Sequence, residues 1–156
     1  MDYITLGYNF RISSLTAALG LSQIEKLDEI ISMRRHNAEY MTKELSKIWN
    51  IKLPIPPFNY YHVYQMFTIQ TEPDLRNALI QHLSSKGIVT KIYFSPVHLS
   101  QFYKTKFGYK DGDLPFTEFV SYQVLSLPIY PTLNAEEIKF ICETVEQFFE
   151  VANNAN

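Results

Sequence analysis

The sequence of 156 residues has a single cysteine and only five glycines, and each scarcity excludes a class of protein. Because Cys142 has no second cysteine to pair with, a disulfide framework within the chain is excluded and a reducing compartment, the cytoplasm, is expected. Cys142 also falls on the apolar stripe of a predicted helix, which favours a small buried hydrophobic residue over a nucleophile. Neither the G-x-G-x-x-G fingerprint nor the P-loop pattern occurs, so no glycine-rich loop cradles a nucleotide.

Signals for metal, membrane and nucleic acid are also missing. The histidines show no metal-ligand spacing with cysteine or aspartate, so a zinc site is not expected. They are His36, His62, His82 and His98. No apolar run approaches a membrane span, and the N-terminus lacks the basic and apolar segments of a signal peptide. A net charge of -2 gives no drive toward nucleic acid or an anionic membrane.

What the sequence does contain is apolar and aromatic. Hydrophobic residues make up 46% of the chain, which includes eleven tyrosines and eleven phenylalanines. This composition is typical of a globular protein with a thick core or an interface, and not of a disordered tail. The length and the absence of repeats predict a single αβ domain over residues 1–156.

A long helix is predicted near the N-terminus, from Ser13 to about Trp49. Its apolar residues recur at steps of three and four, which places them on one helix face. They are Leu15, Leu19, Ile24, Leu27, Ile31, Ala38, Met41, Leu45 and Ile48. Ser13 or Ser14 can cap this helix. The five residues from Gly7 to Arg11 are then presented at a helix N-terminus, whose free N–H groups and partial positive charge suit an anion.

The remaining elements alternate between strand and helix patterns. Asn134 and Glu137 have the spacing of a capping box. The predicted elements are strand Tyr61–Gln70, helix Thr71–Lys86, strand Ile88–Phe94, short helix Leu99–Phe107, helical segment Phe116–Val124, strand Leu125–Leu127 and helix Ala135–Ala152. The order of strand, helix and strand fits a parallel crossover unit or two antiparallel strands with a helix on one face, and the pattern does not decide between them.

Three positions are candidates for chemistry. Lys91 sits in an apolar strand, where a desolvated lysine can act as a nucleophile, although a lysine whose amine reaches water is the more common case. His98, which follows Tyr93 and Pro96 after a strand end, can contact a substrate or be structural. Asn9 can turn or cap the chain, or donate its amide to a phosphate at the helix N-terminus.

Several segments, in the right order, resemble a known family. The run LGYNFRISSLTAALGLSQIEKLDEI, then HVYQMFTI, KGIVTKIYFSPVH, GDLP, LSLPIYP and NAEEI are similar to the C-terminal half of the DegT/DnrJ/StrS aminotransferases. This family uses pyridoxal phosphate to aminate keto sugars attached to nucleotides. The resemblance implies an α/β (α+β) fold: the small C-terminal domain of a fold-type I aminotransferase, with a long N-terminal helix and a short, mostly antiparallel sheet on which helices pack.

The resemblance also implies roles for individual residues. Asn9 matches the asparagine that reaches the cofactor phosphate of the other subunit across a homodimer, and Arg11 matches an arginine expected to orient that loop. His98 and Tyr93 match positions near the sugar-nucleotide site. Tyr93 stands where the family often has histidine, and Gln65 replaces a frequent second histidine, so the substrate contacts depart from the family pattern.

The family's lysine that forms the Schiff base lies in an upstream domain, and none of the ten lysines here matches its context. We therefore expect this chain alone to bind no cofactor and to be inactive. In the full-length enzyme the partners would be pyridoxal phosphate, a sugar nucleotide and an amino donor, glutamate in most of the family. The alternatives are a stand-alone binding or dimerisation module, favoured by apolar surface, and a folded remnant without ligand.

Overall fold

The computed structural model describes residues 4–154 of the protein. Within this range the chain forms six α-helices, two β-strands and one 3₁₀ turn. In chain order these are α1 (Ser14–Ile24), α2 (Leu27–Leu45), β1 (Phe67–Gln70), α3 (Pro73–Ser85), the 3₁₀ turn (Val97–Leu99), α4 (Gln101–Phe107), α5 (Pro115–Gln123), β2 (Val124–Leu127) and α6 (Ala135–Asn154).

The two strands form an antiparallel sheet, which resolves the choice that the sequence left open. The paired residues are Phe67 with Leu127, Thr68 with Ser126, Ile69 with Leu125, and Gln70 with Val124. Single antiparallel bridges extend both edges of this sheet. Lys52 bonds to Gln70 on one side, and Lys91 bonds to Ser126 on the other. The predicted fold class, a short antiparallel sheet with helices packed on it, is confirmed.

The core lies between the sheet and the helices. Helix α6 packs against α2 and α3, and α3 also contacts α5 and β2. Phe67 and Ile69, which alternate with half-buried residues on β1, are completely buried in this layer. The helices contribute Ala38, Met41 and Leu45 from α2, Leu79 and Leu83 from α3, and Ile138, Ile141, Cys142, Val145 and Phe149 from α6.

Local signals mark the helix ends, and the capping box of Asn134 and Glu137 was predicted correctly. The Asn134 side chain accepts a bond from the Glu137 N–H at 2.9 Å, and the Glu137 carboxylate accepts one from the Asn134 N–H at 2.9 Å. This reciprocal pair is a capping box. Gly108 ends α4 with φ 75°, and Gly87 follows α3 with φ 80°. Such left-handed conformations favour glycine because it has no Cβ.

The single long N-terminal helix was predicted wrongly, because two helices meet at Glu25 and Lys26. The Lys26 N–H bonds to the carbonyl of Gln23, three residues back, and Lys26 leaves helical geometry with φ −104° and ψ 4°. Packing differs on either side of this break. Helix α2 buries four residues, whereas no residue of α1 is buried. The predicted stripe is therefore a core face only from Ala38 onward.

Both long strands were also predicted to extend over more residues than the structure shows. Only residues 67–70 of the predicted strand Tyr61–Gln70 are regular, because Tyr64 adopts φ 48° and turns the backbone away from the extended conformation. The predicted strand Ile88–Phe94 makes just the Lys91 bridge. Ile88 is buried in the core, but Val89 and Phe94 are 70% and 73% exposed, so little packing holds the rest of the segment in a regular ladder.

No helix within residues 4–154 combines the length and the apolar character that crossing a membrane requires.

Cys142 gives a direct test of this core. The thiol is buried on α6, and burial raises its pKa to about 12. Because the thiolate is the reactive form, we expect iodoacetamide to leave native Cys142 unmodified at pH 8 and to label it once guanidinium unfolds the chain. Mass spectrometry measures both states. A Thr5→Cys variant, exposed near the N-terminus, should be labelled at once, and equally rapid labelling of native Cys142 would contradict this core.

Candidate functional site

The N-terminal arm, which we define as residues 4–13, leads into α1 without contacting the core. Its apolar residues alternate with small or polar ones, and all are between 66% and 92% exposed. They are Ile4, Leu6, Tyr8, Phe10 and Ile12. A period of two places side chains on one side of an extended segment. The arm thus carries apolar side chains that nothing in the described part of the chain covers, with Asn9 and Arg11 at intervening positions.

Asn9 and Arg11 are both exposed, and neither forms a hydrogen bond with any residue among 4–154. The cap of α1 is Ser13, whose Oγ accepts the Thr16 N–H at 3.2 Å, as predicted. Asn9 therefore does not cap its own helix, and its amide is available to a group from outside this body. Its contact with a cofactor phosphate stays a prediction, as does the orienting role of Arg11.

His98 lies in the 3₁₀ turn and is 6% exposed. Its Nε2 is 2.9 Å from Glu118 Oε1, and its ring meets the Tyr109 ring edge-on with centroids 5.8 Å apart. The structural role that the sequence allowed for a loop histidine is thus present. A contact between this imidazole and a substrate stays a prediction, which the contacts with Glu118 and Tyr109 do not test.

Glu118 is a member of this cluster that sequence reasoning missed. It lies in the first turn of α5, where its carboxylate accepts the N–H groups of Gly112 and Leu114 in addition to the His98 ring. The hydrogen bond from His98, followed by that from Gly112, lowers the pKa of the Glu118 carboxyl. An acidic residue in a first helical turn after the turn sequence GDLP was the signal that could have found it.

Tyr93 lies in a different place from His98. It is 47% exposed and lines a cleft of about 200 Å³ at the sheet edge, which Lys91 and Arg34 also line. His98 does not line this cleft, and Asn9 lies on the exposed arm. The structure therefore leaves the predicted site residues in three separate settings within one chain. Lys91 is exposed, so the desolvation that would make it a nucleophile is missing.

Arg34 organises that cleft and was also missed from sequence. Its Nη1 donates to the carbonyls of Tyr64 at 3.2 Å, Gln65 at 3.3 Å and Ile129 at 3.0 Å. These carbonyls belong to two segments that follow no regular ladder, so a charged donor replaces the missing strand partner. The residues that line the cleft include the cations Arg34 and Lys91 and no carboxylate.

No group of three or more His, Cys, Asp and Glu side chains in residues 4–154 is arranged to hold a metal ion.

The family model of the DegT/DnrJ/EryC1/StrS aminotransferases matches residues 1–146. The chain belongs to this aminotransferase family. It is 31% identical over 145 residues to the GDP-perosamine synthase of Escherichia coli O157:H7, which covers 92% of this chain and 38% of that protein.

Solved structures agree with this family membership. The chain resembles DesV of S. venezuelae with a TM-score of 0.87 and 31% identity, over 96% of this chain and 40% of DesV. It also matches the fold of Spr1654 from Streptococcus pneumoniae in its PLP form, with a TM-score of 0.83 at 21% identity, over 96% and 38% of the two chains. This family member therefore spans about two fifths of the relatives that it matches.

The role of Arg34 in this aminotransferase chain can be tested against its neighbour. Arg34→Met removes a charged donor from three carbonyls, and we expect the free energy of unfolding to fall by about 2 kcal/mol. Arg35 donates to the carbonyl of His62 at 2.8 Å and lies 4.4 Å from the Tyr61 ring centroid.

Since the bond that Arg35 makes is exposed, Arg35→Met should cost about 1 kcal/mol or less. Urea denaturation measures both variants. An equal loss of unfolding free energy in the two variants would show that the three carbonyl contacts of Arg34 add no stability beyond the single contact of Arg35.

Proposed function

We propose that this chain is the C-terminal part of a pyridoxal-phosphate-dependent aminotransferase. In the proposed reaction a nucleotide-linked keto sugar is converted to an amino sugar, for surface polysaccharide or related amino-sugar biosynthesis, with glutamate as amino donor. The observation that supports this most is the N-terminal arm: an unpaired amide at Asn9 stands exposed before a helix N-terminus, in a member of an aminotransferase family.

The residues of this chain fit one portion of the cofactor. A phosphate needs N–H donors and positive charge, and Asn9 and Arg11 supply both on the same side of the arm. Both side chains are exposed on the arm, so the rest of the phosphate site would come from outside the described residues. When bound, pyridoxal phosphate supplies the electron sink for amino transfer. Asn9 would donate to its phosphate across the dimer, and Arg11 would orient the arm.

His98 and Tyr93 are the proposed contacts to the sugar nucleotide. Both follow the Lys91 bridge at the sheet edge, where a loop can present side chains to a ligand. Tyr93 has an exposed hydroxyl-bearing ring, and His98 is fixed by Glu118. Asn9, Tyr93 and His98 lie apart within one chain. In a dimer that binds the ligand between its subunits, residues of the two chains would meet at the same ligand. The proposed setting is a cytoplasmic homodimer without nucleic acid or membrane partners.

A stand-alone dimerisation module is the alternative, and α1 favours it. Helix α1 has no buried residue, and its Leu15, Leu19 and Ile24 are 84%, 63% and 67% exposed. Exposed apolar stripes of this size mark interaction surfaces. The two functions differ in catalysis, since the module would associate without transferring an amino group.

The first test uses this chain alone. None of its ten lysines matches the context of the family's cofactor lysine. We therefore expect pyridoxal phosphate added to the purified chain to give no amino transfer from glutamate to a nucleotide keto sugar, and no absorbance change beyond that given by free lysine amines. Retention of one cofactor per chain after gel filtration would contradict this expectation.

The second test concerns Asn9 in an enzyme that joins this chain to a cofactor-binding region of the family. Because Asn9→Ala removes one donor to the phosphate, we expect the cofactor dissociation constant to rise about tenfold, as the loss of a charge-assisted hydrogen bond predicts. Thr5→Ala is the matched control on the same arm and should leave cofactor affinity unchanged. Equal affinities in the two variants would remove Asn9 from the site.

A further inference from the structure

Glu118 connects three segments through one carboxylate. Oε1 lies 2.9 Å from His98 Nε2 and accepts the Leu114 N–H at 3.2 Å, while Oε2 accepts the Gly112 N–H at 2.9 Å. Its side chain is 13% exposed and that of His98 is 6% exposed. The 3₁₀ turn, the turn before α5 and the first turn of α5 are therefore held by one partly buried carboxylate.

The bonding pattern decides which ring nitrogen of His98 carries hydrogen. Two backbone N–H groups point at the Glu118 carboxylate, and an ionised carboxylate accepts hydrogen bonds without donating any. The contact to His98 Nε2 is then possible only if Nε2 is the donor. In the neutral ring a proton on Nε2 leaves Nδ1 as an acceptor.

Nδ1 of His98 forms no hydrogen bond within residues 4–154, yet it is not cut off from solvent. The side-chain polar atoms of non-exposed residues in this range that are both buried and unpaired are Asn50 Oδ1, Arg76 Nε and His82 Nε2. His98 Nδ1 is not one of them, so it keeps access to water. Nδ1 is thus the ring nitrogen of His98 that has no partner in the described part of the chain.

We propose that Glu118 is a positioning residue that holds His98 in the Nε2–H tautomer, so that neutral His98 offers substrate only an acceptor, Nδ1. The complementary ligand group is a hydrogen-bond donor, such as a sugar hydroxyl, and not a phosphate oxygen. The ligand half of this proposal rests on the proposed function, in which His98 meets the sugar nucleotide; the tautomer half does not.

The backbone around the ring supports the same arrangement. Gly112 has φ 93°, a conformation that favours glycine, and its N–H is thereby turned toward Glu118. The Tyr109 ring packs edge-on against the His98 ring, with the two centroids 5.8 Å apart. A 180° rotation of the imidazole would put the carbon Cε1 in the place of Nε2 and would break the contact with Glu118.

Nitrogen NMR of the histidine rings in this chain tests the tautomer directly. We expect His98 at pH 8 to show a protonated Nε2 and an unprotonated Nδ1. Glu118→Gln introduces an amide that can donate as well as accept, so the preference should weaken to a mixture of tautomers. A wild-type His98 protonated on Nδ1 would overturn the proposal, and this result needs no variant to fold.

A matched control comes from α6. Glu137 also lies in a first helical turn and accepts an N-cap N–H, that of Asn134, but it does not touch His98. Glu137→Gln should therefore leave the His98 signals unchanged. An equal change in both variants would assign the effect to general loosening and overturn the positioning role.

The ligand half is tested in the enzyme that joins this chain to a cofactor-binding region. We expect Glu118→Gln to raise KM for the sugar nucleotide about tenfold, the effect of one lost hydrogen bond, with less change in kcat and none in KM for glutamate. An unchanged KM for the sugar nucleotide in His98→Ala would contradict the substrate role of His98. The tautomer would still be decided by the NMR result. An unchanged KM in Glu118→Gln alone would contradict positioning.

Discussion

Uncovered apolar surface at the N-terminus is the constraint on which the rest of this structure depends. The buried apolar side chains of the described chain all lie from Ala38 onward, whereas the arm and α1 bury none. Covering a large apolar side chain is worth about 1.5–3 kcal/mol, so this surface favours association strongly. Nothing within residues 4–154 covers this surface, and Asn9 lies between two of its apolar residues, Tyr8 and Phe10. In the proposed function, assembly and the phosphate contact of Asn9 both involve this arm.

This constraint also explains which parts of the fold sequence patterns could predict. Ser13 and the pair Asn134–Glu137 act on neighbours three residues away, and local spacing predicted them correctly. The helical period from Leu15 to Leu45 indicated one buried face because the same spacing describes a core face and an interface face. Aromatic and β-branched residues misled in the same way in residues 61–66 and 88–94, where most side chains are exposed and only Tyr64 and Ile88 are buried.

The candidate site was less predictable because its geometry comes from distant contacts. Arg34 reaches carbonyls 30, 31 and 95 residues away, and Glu118 reaches His98 across 20 residues. No local period encodes such pairs. The family resemblance supplied Asn9, Arg11, Tyr93 and His98 by motif, and the family assignment was confirmed. It did not supply the residues that support them. Arg34 donates to three carbonyls outside the regular strands, and Glu118 bonds to the His98 ring.

The central claim is that Asn9 serves the active site of the other subunit, and subunit complementation tests it most directly. One inactive enzyme would carry Asn9→Asp, which sets a carboxylate against the phosphate, and the second would lack the cofactor lysine of the region joined to this chain. If the site is shared across the dimer, mixed dimers contain one intact site, and about a quarter of full activity should return after random mixing. If both residues act within one subunit, every site stays defective, and the absence of any recovered activity would contradict the account.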